Sequence, residues 1–193
     1  MNWDTCVKDY LKMVANGCPD EFRPTWCEHC QSEAKFHKLG SFTRSVLTME
    51  ELLEITIFRF KCTLCGKTRG ILPSFLRRNY AAALDVQEHV VRRHEEGVSL
   101  RVISEQLPSL LAFSEKTLWR WKNYWKKLLD RLNPGIWHTV LSRFPHLLLP
   151  RGSDTPSSVW DWVFWVWGKT RLQWTGNPAN CFQWLTFLSQ SGR

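Results

Sequence analysis

Four cysteines stand in two identical spacings, Cys27-x-x-Cys30 within "WCEHC" and Cys62-x-x-Cys65 within "KCTLCGK". A tight C-x-x-C turn offers two thiolates to one ion, and two such turns complete the tetrahedron of soft ligands that suits a single structural zinc. Gly66 follows the last cysteine, where a glycine tolerates the left-handed backbone such a turn needs. Four protein sulfurs leave no open position, so this zinc cofactor would hold structure and not activate water. Four buried free thiols or a redox pair are the competing readings, and the doubled spacing favours metal. His29 reads as a spacer inside the first turn and His37 as a surface strand residue. Cys6, Cys18 and Cys181 have no partner at this spacing; Cys18 is the first substitute should one of the four fail.

The second constellation is cationic. Between Lys116 and Arg131 there are six basic residues and one acid, Asp130. Ser114 would cap the helix that carries them. Its early exposed positions are Glu115, Lys116, Trp119, Arg120 and Asn123. A helix entering the major groove presents its N-terminal residues to base edges, where Arg120 can read guanine and Asn123 adenine by paired hydrogen bonds. Ser114, Lys116, Thr117, Lys122, Lys126 and Lys127 complete the expected DNA-binding set, the lysines serving phosphates. The same pattern fits a solvated Lys-rich face whose late cations suit the helix dipole.

Composition agrees with an acidic partner. The 193 residues carry a formal charge of +8, with pI near 9.3. Residues 1–97 hold fourteen Lys/Arg against thirteen Asp/Glu, whereas residues 98–193 hold twelve against five. Such asymmetry points to nucleic acid or an anionic membrane, and taken with the capped basic helix it favours double-stranded DNA as the partner. The N-terminus lacks a continuous apolar signal segment, and no apolar run reaches spanning length. The expectation is therefore a cytoplasmic, nucleoid-associated protein with no membrane partner, where paired cysteines bind metal rather than each other.

The elements that must position these residues follow from periodicity. The expected fold class is α+β: a small zinc-ribbon β module, then a mainly helical helix-turn-helix region, then a Trp-rich helical tail. Residues 1–23 read as a helical lead-in with Leu11, Val14 and Ala15 as its apolar stripe. Residues 24–78 form the ribbon: "KLGSFTRSVL" and "EITIFRF" alternate as strands, and "TRGILPSFL" adds a third that stops at Pro73. Residues 79–132 hold the helix-turn-helix. Its first helix places Ala83, Val86, Val90 and His94 on one face and ends at Gly97. The next, capped by Ser99, turns Leu100, Ile103 and Leu107 inward and stops at Pro108. The last has Leu118, Trp121, Trp125, Leu128 and Leu132 as its stripe and breaks at "NPG", Asn133 to Gly135. Residues 133–193 are the tail, with helices near Val159–Trp167 and Pro178–Ser189, the second capped by Asn177.

The order of the C-x-x-C pair, "GSFTRSVLT", "ITIFRFKCTLCGKTRGILPSFL", "GVSLRVISEQL" and "SEKTLWRWK" resembles the zinc-ribbon and helix-turn-helix region of insertion-sequence transposases. More closely it is similar to small bacterial transposase-like proteins that consist of little else. The resemblance covers about residues 24–130. It implies zinc at Cys27, Cys30, Cys62 and Cys65, and DNA contact from the helix starting at Ser114. One departure is "PSLLAF" between Leu107 and Ser114, longer than the usual turn. The family's chemistry uses a carboxylate triad holding two metal ions. After Glu115 this chain has no Glu and only Asp130, Asp154 and Asp161, so no catalytic residue is assigned and no enzyme is expected. Lys61, Lys67, Arg69, Arg77 and Arg78 of the ribbon are candidates for backbone contact.

In "VWDWVFWVWGKTRLQW", Trp160, Trp162, Trp165 and Trp167 crowd one short stretch. A helix apolar on every side must be buried, which makes core packing the first reading. The second is a partner-binding surface for a recombinase or transposase subunit, or for self-association, because Trp is enriched at binding hot spots. The function expected is thus a zinc-containing, non-catalytic DNA-binding protein of a bacterial mobile element, acting in transposition or element-end recognition. A transcription regulator, a protein-interaction adaptor and a transposase remnant are the alternatives.

Overall fold

A computed structural model of the chain describes residues 6–108, 111–174 and 178–191. It is a mixed α/β molecule that separates into two compact units, Met1–Leu84 and Asp85–Arg193.

The first unit is built on strands. β1 (Trp26–Cys27) and β2 (Ser32–Glu33) form a short antiparallel pair. β3 (Phe36–Leu47), β4 (Leu52–Cys62) and β5 (Thr68–Gly70) form a three-stranded antiparallel sheet in the order β3-β4-β5. The alternation in "EITIFRF" does specify a strand, but the buried face changes along it. Ile55 and Ile57 are buried, and so are Phe58, Phe60 and Cys62. Side chains alternate between faces, so the sheet buries one side near the hairpin end and the other side near the cysteines. A bulge at Leu39, between Lys38 and Gly40, interrupts the β3–β4 register. Helix α1 (Val7–Val14) covers this core through Tyr10, whose hydroxyl donates to the Thr56 carbonyl at 2.6 Å. Burial pushes the Tyr10 phenol well above its ordinary pKa. The expected Leu11–Val14–Ala15 stripe is therefore only half right: Leu11 and Val14 pack at the core's margin, and Ala15 lies past the helix end, exposed. Tyr10 also stacks on Phe22 at 5.8 Å and meets Phe75 edge-on at 5.7 Å.

The second unit is helical. α2 (Leu84–Glu95) begins at the boundary and buries Val86, Val90 and Val91. It ends as its sequence indicates. Gly97 has φ 90°, its N–H reaches the His94 carbonyl at 3.0 Å, and the Val98 N–H reaches Arg93 at 3.1 Å. That pair of bonds satisfies helix-end carbonyls through a left-handed residue. α3 (Leu100–Gln106) is capped by Ser99, whose hydroxyl accepts from the Val102 N–H. α4 (Glu115–Arg143) is capped by Ser114 in the same manner.

The break expected at Asn133–Gly135 does not occur, and α4 runs through Pro134. A proline inside a helix removes one hydrogen bond and crowds the preceding turn. Here Ile136 and Val140 are buried on the stripe begun by Trp121, Trp125, Leu128 and Leu129, so apolar burial beyond the proline offsets that cost. α5 (Val159–Thr170) opens with a capping box between Ser158 and Asp161. α6 (Cys181–Ser191) starts later than expected. Asn180 accepts from the Gln183 N–H at 2.9 Å, and the Glu88 carboxylate accepts from the Phe182 N–H at 3.1 Å. Asn177, the expected cap, lies outside the described residues.

Tryptophans fill the core of this unit. Trp125 donates to Gln87 at 2.9 Å and lies 3.9 Å from the Phe182 ring, centroid to centroid. Trp160 packs on Phe182, and Trp167 stacks on Trp184. Thr170 accepts from the Trp174 indole at 2.8 Å. No helix among the described residues is long and apolar enough to cross a membrane.

Candidate metal centre and basic helix face

Cys27 closes β1 and Cys30 follows in the turn to β2; Cys62 closes β4 and Cys65 follows in the turn to β5. Each pair thus hangs from a strand end, and the two turns face each other. All four sulfurs lie within 4.8 Å of one another. Cys27 Sγ is 3.7 Å from Cys65 Sγ, and Cys30 Sγ is 4.0 Å from Cys62 Sγ. A tetrahedral ion with metal–sulfur bonds of about 2.3 Å has edges of about 3.8 Å. The four residues therefore fit one metal ion.

The two turns are built alike. The residue after the second cysteine is left-handed in both: Gln31 at φ 51° and Gly66 at φ 70°. Glycine makes the second legible in the sequence. Gln31 conceals the first, and its side-chain amide donates to the Glu28 carbonyl across the turn. The second turn is closed by the Gly66 N–H to Cys62 at 3.0 Å and the Cys62 N–H to Lys67 at 2.9 Å. The turns are also tied to their surroundings. The Thr63 backbone and hydroxyl both donate to the Lys35 carbonyl at 3.0 Å. Arg69 of β5 pairs with Glu28 of the first turn at 3.0 Å. That ion pair had no signal in the sequence.

Electrostatics favours a cation here. The Cys30 amide donates to the Cys27 sulfur and draws that thiol below its ordinary pKa. The Cys65 thiol beside Cys30 pushes Cys30 the other way. Sulfurs this close cannot all carry charge unless a positive ion sits among them. His29 and His37 are exposed, and the candidate ligand group among the described residues contains the four cysteines alone. Cys18 lies at the core's edge with its thiol toward the Pro19 carbonyl, Cys6 is exposed, and Cys181 is buried in the other unit.

The expected DNA-binding residues all lie on the first half of α4 or at its cap. Lys116, Arg120 and Lys127 are exposed and Asn123 is half-buried. Their spacing of four, three and four puts them on one stripe, opposite Leu118, Trp121, Trp125 and Leu128. Trp119 stands beside them, 54% exposed, and Lys126 is exposed on the flank. Ser114 and Thr117 are engaged with each other at the helix start, Oγ to Oγ1 at 3.1 Å. Lys122 is half-buried and its ammonium donates to His94 Nε2 at 3.3 Å, while His94 Nδ1 meets the Val98 carbonyl at 3.1 Å. The long connection before Ser114 is anchored by Leu111, which is buried. The Ser104 hydroxyl donates to the Phe113 carbonyl at 2.6 Å, and the Phe113 ring meets Trp121 edge-on.

Of the four tail tryptophans, Trp160 and Trp167 are core residues, and Trp162 and Trp165 are half-buried. The helix that reads as apolar on every side is therefore buried on one side. Trp162 is flanked edge-on by Trp137 at 5.5 Å and Trp165 at 5.8 Å. In the first unit, Lys61, Lys67, Arg69 and Arg78 are exposed, and the Arg77 guanidinium lies 4.5 Å from the Tyr80 ring centroid. Set against protein-family models, curated proteins and solved structures, the chain matches none of them.

Proposed function

We propose that the chain is a zinc-containing, non-catalytic DNA-binding protein, with Cys27, Cys30, Cys62 and Cys65 holding one structural zinc and α4 lying in the major groove of duplex DNA. The observation that carries the DNA reading is the division of α4 into a buried apolar stripe and an opposed stripe of Lys116, Arg120, Asn123 and Lys127. A capped helix start beside that stripe suits phosphate as well. On this reading α3 and α4 form a helix-turn-helix with a lengthened turn. Arg120 and Asn123 read bases, Lys116, Lys126 and Lys127 meet phosphates, and Lys122 stays with His94. Zinc, rather than another divalent ion, is supported by the all-sulfur, four-coordinate donor set. The resemblance noted in the sequence adds the biological setting, a bacterial mobile element whose ends the protein recognises.

Selection of bound duplexes from a random-sequence pool, with zinc-loaded protein at near-physiological salt, tests this. A single enriched motif is the expected result. Arg120→Ala should relax specificity at one position, at a cost of about 1–3 kcal/mol against the preferred base. Recovery of duplexes with no motif would reduce the reading to phosphate attraction alone. Failure to recover DNA would turn the reading toward a protein partner at the half-exposed Trp162 and Trp165.

A further inference from the structure

We propose that the open face of the β3-β4-β5 sheet binds single-stranded DNA, stacking a base on Phe42 and meeting phosphates with Arg59 and Lys61. Alternate residues of a strand share a face, so Ile57, Arg59 and Lys61 of β4 project together. Their cross-strand partners project with them: Phe42 beside Ile57, Gly40 and Gly70 beside Arg59, and His37 and Thr68 beside Lys61. Near the hairpin end this face is core, with Ile57 fully buried. Beyond Ile57 it opens to solvent. Phe42 is 44% exposed, and His37, Arg59, Lys61, Thr68 and Gly70 are all exposed.

The chemistry of this patch is specific. The Phe42 ring reaches across β4, to within 3.9 Å of where a Cβ on Gly70 would stand. A Cβ on Gly40 would in turn meet Arg59 Nη2 at 4.0 Å. The two glycines thus give the Arg59 and Phe42 side chains room to lie along the sheet, and the Arg59 guanidinium stands 6.0 Å from the Phe42 centroid. Among the described residues neither Arg59 nor Lys61 has a carboxylate partner, although Arg69 on the adjacent strand has one in Glu28. No acidic residue occupies any of the three rows. Rows two residues apart are separated by about 6.8 Å, so the ring and two cations span about 14 Å. An exposed aromatic beside cations that have no carboxylate partner is the combination that binds single strands without sequence preference, and sheet faces bearing aromatics stack two or three bases in this way. The charge complement of such a face is a polyanion with π-faces of its own. DNA is chosen over RNA because α4 of the same chain is assigned to duplex DNA; that choice rests on the reading above, whereas the platform itself does not.

The test is fluorescence anisotropy of the full zinc-loaded chain with a labelled mixed-sequence 12-mer, as single-stranded DNA, as the same sequence in RNA, and as duplex. Phe42→Ala should weaken single-strand binding by about 5- to 160-fold, the range set by losing one base stack, and leave duplex binding unchanged. Arg59→Gln with Lys61→Gln should weaken it also and flatten its salt dependence. Arg120→Ala should alter only the duplex arm, so failure of the α4 reading and failure of this one are distinguishable. Circular dichroism and zinc content confirm that each variant is folded. Wild-type single-strand affinity in both sheet variants, no single-strand binding by the parent chain, or tighter binding of the RNA than of the DNA would overturn the proposal.

Discussion

The two units solve the same problem, holding a small core, by opposite means. The first spends much of its sheet on exposed surface: β3 is exposed along most of its length. Its core gathers Tyr10, Phe22, Phe58, Phe60 and Phe75 with Ile55 and Ile57 against two long strands, and includes Cys27 and Cys62 of the cysteine turns. The second has no such turns and instead packs indoles: Trp121, Trp125 and Trp184 are among its largest fully buried side chains. Burying an aromatic removes a large apolar area from water, so the buried tryptophans supply much of the packing of the helical unit. A small β unit carrying four convergent cysteines has a site where a metal would add folding energy. The candidate metal ligands lie in one unit and most of the buried tryptophans in the other.

The largest expected effect lies at the cysteines. Cys62→Ser, or chelation of the zinc-loaded protein, should abolish cooperative unfolding of the first unit, because metal-binding energy in such sites is folding energy. Helical circular dichroism from the second unit should persist. A variant that keeps one zinc per chain and its full stability would remove the metal from the comparison.

Next is the tryptophan core. Trp125→Ala should destabilise the second unit by about 3–5 kcal/mol, since it deletes a fully buried ring and its hydrogen bond to Gln87. Zinc stoichiometry should be unchanged. Loss of zinc in this variant would show that the units do not stand separately.

Pro134→Ala is expected to act in the opposite direction. It restores one helix hydrogen bond in an otherwise continuous α4, and a gain of roughly 1–3 kcal/mol in urea unfolding is anticipated from the helix-interior cost of proline. A destabilised variant would mean that the proline sets the path of the chain.

The smallest effect belongs to the start of α5. Ser158→Ala should cost about 1 kcal/mol, because Ser158 accepts from the Asp161 N–H at 3.0 Å while Asp161 accepts from the Ser158 N–H at 3.0 Å. Hydrogen bonds led by the Ser157 hydroxyl hold Asp161 below its ordinary pKa. Its contribution is therefore present above the usual aspartate range and is lost as the pH falls through the lowered value. Thermal melts of the parent and Asp161→Asn between neutral and strongly acid pH should converge at the acid end. Parallel curves would separate Asp161 from the acid limb.

The sequence was most legible where the physics is local. Ser99 and Ser114 as caps, Gly97 as a helix end and Gly66 as a turn residue each depend on neighbours within a few positions, and each stands where its type requires. Legibility failed where the residue type conceals its conformation or where distant residues decide. Gln31 takes the left-handed conformation without being glycine because the turn around it demands one. Asn180 caps α6 with help from Glu88, which lies on α2. Tyr10 matters more than the leucine and valines beside it because its hydroxyl finds the Thr56 carbonyl across the fold.

By itself, the amino-acid sequence determined which groups can do chemistry: four cysteines at a chelating spacing, a basic stripe at helical spacing, and an indole-rich tail. Those follow from side-chain type and from the fixed periods of helix and strand. Only the tertiary structure decided that the two cysteine pairs converge to within 4.8 Å, that the sheet exchanges its buried face between Ile57 and Phe58, and that α4 continues beyond Pro134. The reason is one of scale. A cap or a turn is worth about 1 kcal/mol and is set by the adjacent chain, whereas burial of several large side chains is worth more than that and depends on partners that the order of residues does not name.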